Sequence, residues 1–402
     1  MPASSTHSVL TPYRLGPLDL RNRVVKCATN EGLSRGGLVT EPLIEWHRRY
    51  ARGGVAMTTL AYCSVSGEGR TFADQVWMRR DALPGLRDFA DAIHADGAKA
   101  AIQLGHAGWF ASSKAIGGRP IGPSATLSPH GQAISRSMSA ADFGRIRDEF
   151  VAAARLAVEA GFDGIEVHVG HGYLLSQFLT PYNNRRRDGY GGDLAGRARF
   201  PREVLEAVRE AVGTDVALWP KLNMLDGFKR GMTLDEGITV AKWLESDGHV
   251  DALQLTGGHT LRTPMFLMRG DVPLAGMIRY ERDRLRRLGL RLLGPWLIRE
   301  VKFEEAFFLP EARKFRAAVS LPLMLLGGVN QLATMNAAID DEGFDLVAVG
   351  RALIRHPDLV DLMRADDSFV SLCNHCNECV AEMERDSGTR CVLRSDEAGS
   401  LP

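Results

Sequence analysis

Eight short apolar, β-branched runs, each followed by a longer segment of helical period, constrain this chain more than any other feature. The runs fall at 23–28, 55–60, 99–104, 164–168, 216–222, 252–255, 322–326 and 346–349. Helical patterns follow at 43–53, 84–96, 140–161, 198–212, 234–247, 303–319, 331–340 and 352–363. Gly54, Gly97, Gly161 and Gly343 stand just before the next strand, where a left-handed residue ends a helix turning back toward a parallel sheet. Eight β-then-α units predict an α/β fold, a closed (β/α)8 TIM barrel. An open doubly wound sheet would need a glycine fingerprint after its first strand, and "ATNEGLSRGG" lacks that spacing.

Two segments break the rhythm. An insertion at about 260–302 follows the sixth strand, far longer than a usual barrel loop. Its "RYERDRLRRLGLRLLGPWLIREV" reads either as an amphipathic helix at a membrane or partner surface or as a helix packed on the barrel with a solvated basic face. The barrel domain should then occupy 1–365 and a cysteine-rich extension 366–402.

Charge narrows the partners. Lysine plus arginine and aspartate plus glutamate number 49 each, so no global field selects nucleic acid or an anionic membrane, and a small-molecule substrate is expected. The start, "MPASSTHSVL", lacks a signal-peptide pattern, and no apolar run approaches a bilayer span, so a cytoplasmic protein without a transmembrane segment is expected. Homo-oligomerisation stays open.

In this fold the loops after the strands converge on one mouth, so strand ends identify the site. They carry Ala28, Thr29, Asn30 and Glu31; Tyr62 and Cys63; Gln103 and His106; His168, His171 and Tyr173; Lys221 and Asn223; His259; Gly327 and Gly328; Gly350 and Arg351. "LLGGVN" and "AVGRAL" place glycines before helix starts at the last two strands, where barrels commonly hold a phosphate, and Arg351 adds a cation. Tight turns alone would also account for those glycines. With Lys221 and Gln103 near the pyrimidine edge of a ring, the set suits flavin mononucleotide, although Lys221 could instead be a structural ion-pair partner. His168 and His171 read as donors to a substrate oxygen and Tyr173 as a proton donor; the alternatives are a metal pair lacking its third ligand, or two satisfied core histidines.

The segment "HVGHGYLLSQFLTPYNNRRRDGYGG", residues 168–192, resembles the most diagnostic stretch of the Old Yellow Enzyme family of flavin-dependent ene reductases. "NRVVKCATNEGL", "AIQLGHAG", "AGFDGIEVH", "WPKLNM", "PLMLLGGV" and "DLVAVGRALIRHPDL" extend the likeness over about residues 9–363. The resemblance implies noncovalent FMN, reduction by NADH or NADPH, and an NAD(P)H oxidoreductase that reduces the C=C bond of electron-poor alkenes such as enones and enals. It assigns Gln103, Lys221 and Arg351 to the flavin, Ala28 and Thr29 to backbone contacts with its ring, His168 and His171 to the substrate oxygen, and Tyr173 to proton donation. Departures are Asn30, where many members carry Thr or Cys, Lys221 in place of the commoner Arg, and Ala195-Gly196 in place of Glu-Asn.

The tail holds Cys373, Cys376, Cys379 and Cys391, a spacing that suits a [4Fe–4S] cluster or a tetrahedral zinc, or leaves four reduced thiols. It is similar to the cluster motif of the dienoyl-CoA reductase and trimethylamine dehydrogenase branch. That likeness keeps an amine or N-methyl dehydrogenase open as a second activity, and a non-catalytic flavin-binding interaction protein as a third reading.

Overall fold

The computed structural model describes residues 7–383 and 385–394. Parts of the N-terminal stretch and of the expected extension, at 1–6, 384 and 395–402, lie outside it. Eight parallel strands close into a barrel: β1 (Val24–Lys26), β2 (Met57–Ser64), β3 (Lys99–Gly105), β4 (Gly164–Val169), β5 (Ala217–Asn223), β6 (Leu253–Thr256), β7 (Leu323–Leu326) and β8 (Leu346–Val349). Strands buried on both faces form because their outer side chains meet helices and their inner ones meet each other. Val167, Leu218 and Val347 belong to the cluster shared with the helices. Val25, Ala101, Trp219, Met324 and Ala348 belong to a second cluster, which also takes Leu15, Leu18 and Leu20 from an N-terminal hairpin (Tyr13–Leu15, Leu18–Leu20). The hairpin leucines thus extend the barrel's own apolar interior.

The helices start where their capping residues allow. Helix α1 (Glu41–Arg52) begins at Thr40, whose side chain accepts from the Leu43 amide, and α2 spans Leu83–Ala95. Capping boxes, Ser139 with Asp142 and Thr233 with Glu236, start α3 (Ala140–Glu159) and α5 (Leu234–Asp247). Between them, α4 (Leu194–Val212) is capped by Asp193, which accepts from the Gly196 amide. Gly196 is required there, since a Cβ would stand 2.2 Å from the Gly191 carbonyl oxygen. The four glycines expected to stop helices all have positive φ, from 71° at Gly343 to 98° at Gly54.

Two expected helices are shorter. Only Leu309–Arg316 of 303–319 is helical (α6), because Phe303, Phe307 and Phe308 are drawn into aromatic packing at the mouth of β7. Helix α7 is Leu332–Asp340. The expected 352–363 is split into α8 (Arg351–Arg355) and α9 (Leu359–Ala365) around Pro357, which cannot donate to the helical ladder.

The insertion folds into three helices, Pro264–Leu267, Leu274–Tyr280 and Arg284–Leu297. The last packs through Gly294 on Leu274. Its apolar side points outward: Leu285 is 71% exposed, Leu292 63% and Trp296 76%. The reading of a helix with its apolar face on the barrel and a solvated basic face is therefore corrected; the narrow contact at Gly294 leaves the leucine stripe uncovered.

The tail crosses the mouth rather than standing apart. Its helix (Glu378–Glu382) packs on Leu274–Tyr280. Thr389 donates its amide to the Glu31 carbonyl at 2.7 Å, and its own carbonyl accepts from the Trp46 indole at 3.0 Å.

Candidate active site at the barrel mouth

A cavity of about 310 Å³ opens at the C-terminal ends of the strands. Ala28, Thr29, Asn30, Tyr62, Gln103, His168, His171, Tyr173, Lys221, Gly327, Gly328, Gly350 and Arg351 all line it. Closure of the barrel accounts for this convergence: register sets His168 beside Lys221 and Glu166 beside Gln103. A register shift between Leu60 and Cys63 in β2 inserts one extra residue at the point where Tyr62 enters the cavity.

One wall is a buried ionic network. The Lys221 ammonium lies 3.4 Å from Glu166 Oε1, and both side chains are almost fully buried. Trp219 Nε1 donates to Glu166 Oε2 at 3.0 Å, and the Gln103 amide nitrogen donates to Glu166 Oε1. With one N–H engaged there, the Gln103 carbonyl oxygen and its second N–H are left for a ligand. Lys221 is thus both an ion-pair partner and a cavity residue. A second buried pair lies below the first strand end: Lys26 Nζ meets Glu31 Oε1 at 3.0 Å and donates to Thr29 Oγ1 at 2.9 Å. The Thr29 side chain is occupied there, leaving its backbone to face a ligand.

At the phosphate end, Gly327 (φ 127°) and Gly328 (φ 76°) adopt backbone that side chains disfavour. A Cβ on them would meet Phe308 at 2.8 Å and Phe303 at 2.6 Å. Arg351 opens α8, whose first amides have no intrahelical acceptor. Its guanidinium donates to the Arg269 carbonyl at 2.8 Å and to Asn377 Oδ1, and no carboxylate pairs with it among the described residues. Burial lowers its pKa, the mark of a cation lacking a counter-ion. A largely buried, uncompensated cation beside two open glycine turns fits the phosphate of FMN, and the Gln103–Glu166–Lys221 set fits a hydrogen-bonding ring edge.

Opposite stand the aromatic and imidazole groups. His168 lies 5.0 Å from His171 and edge-on to Tyr173 at 4.6 Å, ring centre to ring centre. His171 has φ 60°, uncommon outside glycine, and is held by its amide to Asn223 Oδ1 (3.1 Å) and its Nε2 to Thr256 Oγ1 (2.8 Å). Burial first, then the charge of Lys221, brings His171 to about 3; burial, then His171 and Lys221, put His168 well below the ordinary value. Both are neutral imidazoles at pH 7, and among the described residues no group of metal-ligating side chains includes either of them. Burial pushes Tyr173 up to about 12, so it keeps its proton. On this wall the site therefore offers neutral imidazoles and a phenol, while its cations, Lys221 and Arg351, stand on the other walls.

All four tail cysteines line a second, smaller cavity that joins the first through Arg351, Ile354 and Cys379. Burial raises Cys373 and takes Cys379 to about 12.

Glu166, Trp219, Thr256 and Lys26 bond residues of the cavity wall, and the strand-end reading missed them. A signal existed for two of them: Glu166 is two residues from His168, and Trp219 two from Lys221, so each pair shares the inward face of its strand. Thr256 meets a partner distant in sequence, His171, whereas Lys26 lies three and five residues from its partners Thr29 and Glu31.

The family model described as NADH:flavin oxidoreductase / NADH oxidase matches residues 8–256. Over 394 residues the chain is 48% identical to a 4,4'-dithiodibutanoate disulfide reductase of Rhodococcus erythropolis, covering 98% of this chain and 97% of that one. It is 32% identical over 368 residues to a multifunctional alkene reductase/demethylase of Caballeronia cordobensis, covering 91% of this chain and half of that longer protein. The fold of a 2-naphthoyl-CoA reductase superposes with a TM-score of 0.82 over 96% of this chain and 57% of that one, at 24% identity. Sequence, barrel and site agree: the chain belongs to the NADH:flavin oxidoreductase family, the family of the Old Yellow Enzymes.

Proposed function

We propose that this chain is an FMN-dependent NAD(P)H reductase whose acceptor is a disulfide. The carrying observation is that His168, His171 and Tyr173, all neutral at pH 7, face the same cavity as Gln103, Lys221 and Arg351. Bound FMN would supply the two-electron chemistry, accepting hydride from NADH or NADPH and returning two electrons to the second substrate. The chain's own residues would do the rest. Arg351 and the glycine turns hold the phosphate, and Gln103 and Lys221 orient the ring. Thr256 fixes the His171 ring, and Tyr173 gives its proton to the atom that gains electrons. For a disulfide the balance is RSSR + NAD(P)H + H⁺ → 2 RSH + NAD(P)⁺, and the Tyr173 proton goes to a leaving thiolate. The disulfide is favoured because the relative sharing nearly its whole length with this chain bears that activity in its name.

A second reading, reduction of electron-poor alkenes, is favoured by the paired imidazoles. Two N–H donors suit a carbonyl or nitro oxygen, which a disulfide lacks. Anaerobic mixing of the reduced holoenzyme with 4,4'-dithiodibutanoate and, separately, 2-cyclohexenone decides between them. Faster flavin reoxidation by the disulfide supports the first reading, and reoxidation by the enone alone replaces it.

The four cysteines are further proposed to hold a [4Fe–4S] cluster. No three of their sulfurs lie within 4.8 Å of one another, whereas a tetrahedral zinc would draw them to about 3.8 Å. Iron and acid-labile sulfide analysis, lost in Cys376→Ser, tests this; zinc without iron would overturn it.

A further inference from the structure

A second cavity, about 370 Å³, adjoins the flavin pocket and shares Asn30, Ala61, Tyr62 and Met383 with it. Tyr62 is the common wall, and its ring meets Tyr173 edge-on at 5.1 Å, so a molecule beside the proton donor can extend past Tyr62 into this space. Loops 30–35, 71–76 and 112–115, the insertion and the tail enclose it.

The walls are cationic. Arg35, Lys114, Arg282, Arg286 and Arg385 face three acids, Glu31, Asp74 and Asp386. Glu31 is already neutralised from behind by Lys26, Arg282 is paired with Asp386 at 2.7 Å, and Arg385 with Glu382. Two cations, Arg35 and Lys114, have no carboxylate partner among the described residues, and a third, Arg286, is only partly compensated. Arg35 bonds only backbone carbonyls, those of Gly32, Ser34 and Asp386. Lys114 has no acid partner among the described residues. Arg286 reaches the imidazole of His130 at 3.2 Å and Glu281 at a long 3.4 Å, and its buried Nε has no acceptor among the described residues. His130, buried against Phe110 and beside that guanidinium, falls to about 4 and brings no negative charge. Of the acids lining the cavity Asp74 remains, and it accepts from the Gly36 amide at 2.9 Å, while Glu281 and Asp283 lie on the far side of Arg286. A half-buried guanidinium with an unused donor is incomplete until an anionic oxygen meets it.

We propose that this cavity is an anion subsite, centred on Arg286 with Arg35 and Lys114 beside it, for a carboxylate or phosphate of the molecule that reacts at the flavin. It rests on reading the mouth as a reductase site, and it adds a substrate class: acceptors with a carboxylate a few carbons from the reacting bond. The pyrophosphate of the nicotinamide cofactor is the other source of the same chemistry.

The test is a titration of oxidised holoenzyme, read by flavin absorbance, with 4,4'-dithiodibutanoate and with its neutral dimethyl ester. In Arg286→Gln, and more weakly in Lys114→Gln, the preference for the dianion over the diester should fall by roughly tenfold. NADH titrated by stopped-flow reduction supplies the second arm. A rise in its apparent Kd with an unaltered dianion preference would place the cofactor's phosphates in the subsite instead. Equal values in wild type and both variants in both arms would overturn the subsite. Binding is read without turnover, so absence of disulfide reduction would count against the reductase reading alone. FMN content verifies that Arg286→Gln has folded, and the exposed Lys114 gives an independent variant.

Discussion

Tyr173, the proposed proton donor, is a buried phenol, pushed up to about 12, between Tyr62 and His168. Tyr173→Phe should slow the oxidative half-reaction by about 10²-fold or more while flavin reduction by NAD(P)H stays near wild type. Rapid-mixing kinetics of the two halves check this, and equal loss in both would remove the proton-donor role. Glu166 offers a different lever. Glu166→Gln strips the charge from a network in which Lys221 stays buried, so urea denaturation should show a loss of about 3 kcal/mol, with weaker FMN retention. The buried histidines set the acid limit. His171 and His259 stand at about 3 and His47 at about 4, whereas an unfolded chain binds their protons near 6.5. Their folded pKa values are depressed, so their contribution is complete above about pH 6.5 and is lost as pH falls toward 3. Tm measured from pH 8 to pH 4 should therefore fall most steeply below pH 6.5.

Among the elements, the loop after β7 is the least tolerant. Gly328→Ala must keep a positive φ and force a Cβ to within 2.6 Å of Phe303. The expected outcome is a stability loss of about 1–3 kcal/mol together with an FMN affinity reduced at least tenfold, read by denaturation and by flavin fluorescence. The insertion helix behaves oppositely. Leu292 and Trp296 stand mostly in solvent, so Leu292→Glu should change stability by no more than about 0.5 kcal/mol by the same denaturation assay. A larger loss would mean that this face is covered in solution. Much of this level was legible in sequence, because the period of burial writes itself into the order of residues. Both the eight strands and the stop glycines follow from it. The break in the expected 352–363 helix was missed, although Pro357 signalled it. The shortened 303–319 helix was not legible, since Phe303, Phe307 and Phe308 read as a helical face until the neighbouring loop claims them.

For the whole molecule, the barrel brings to one cavity side chains that the sequence spreads from Ala28 to Arg351, and the tail then crosses the mouth above them. Thr389 bonds the carbonyls of Asn30 and Glu31 on its way, and Asn377 bonds Arg351. If the cysteines hold a cluster, chelating its iron should loosen these contacts, and hydrogen exchange should rise at 30–33 and 377–391 before the barrel strands respond.

The sequence by itself determined the barrel, the inward-facing pairs on its strands, the glycine turns of the phosphate end and the four-cysteine spacing. Each is a local pattern, and local patterns survive in a linear string. Only the tertiary structure decided that Glu166 holds Gln103 and Lys221 together, that Arg351 meets no carboxylate among the described residues, that the leucines of the insertion face outward, and that a cationic cavity adjoins the flavin pocket. Those are properties of separation in space between groups remote in the chain, and charge compensation and burial depend on that separation alone.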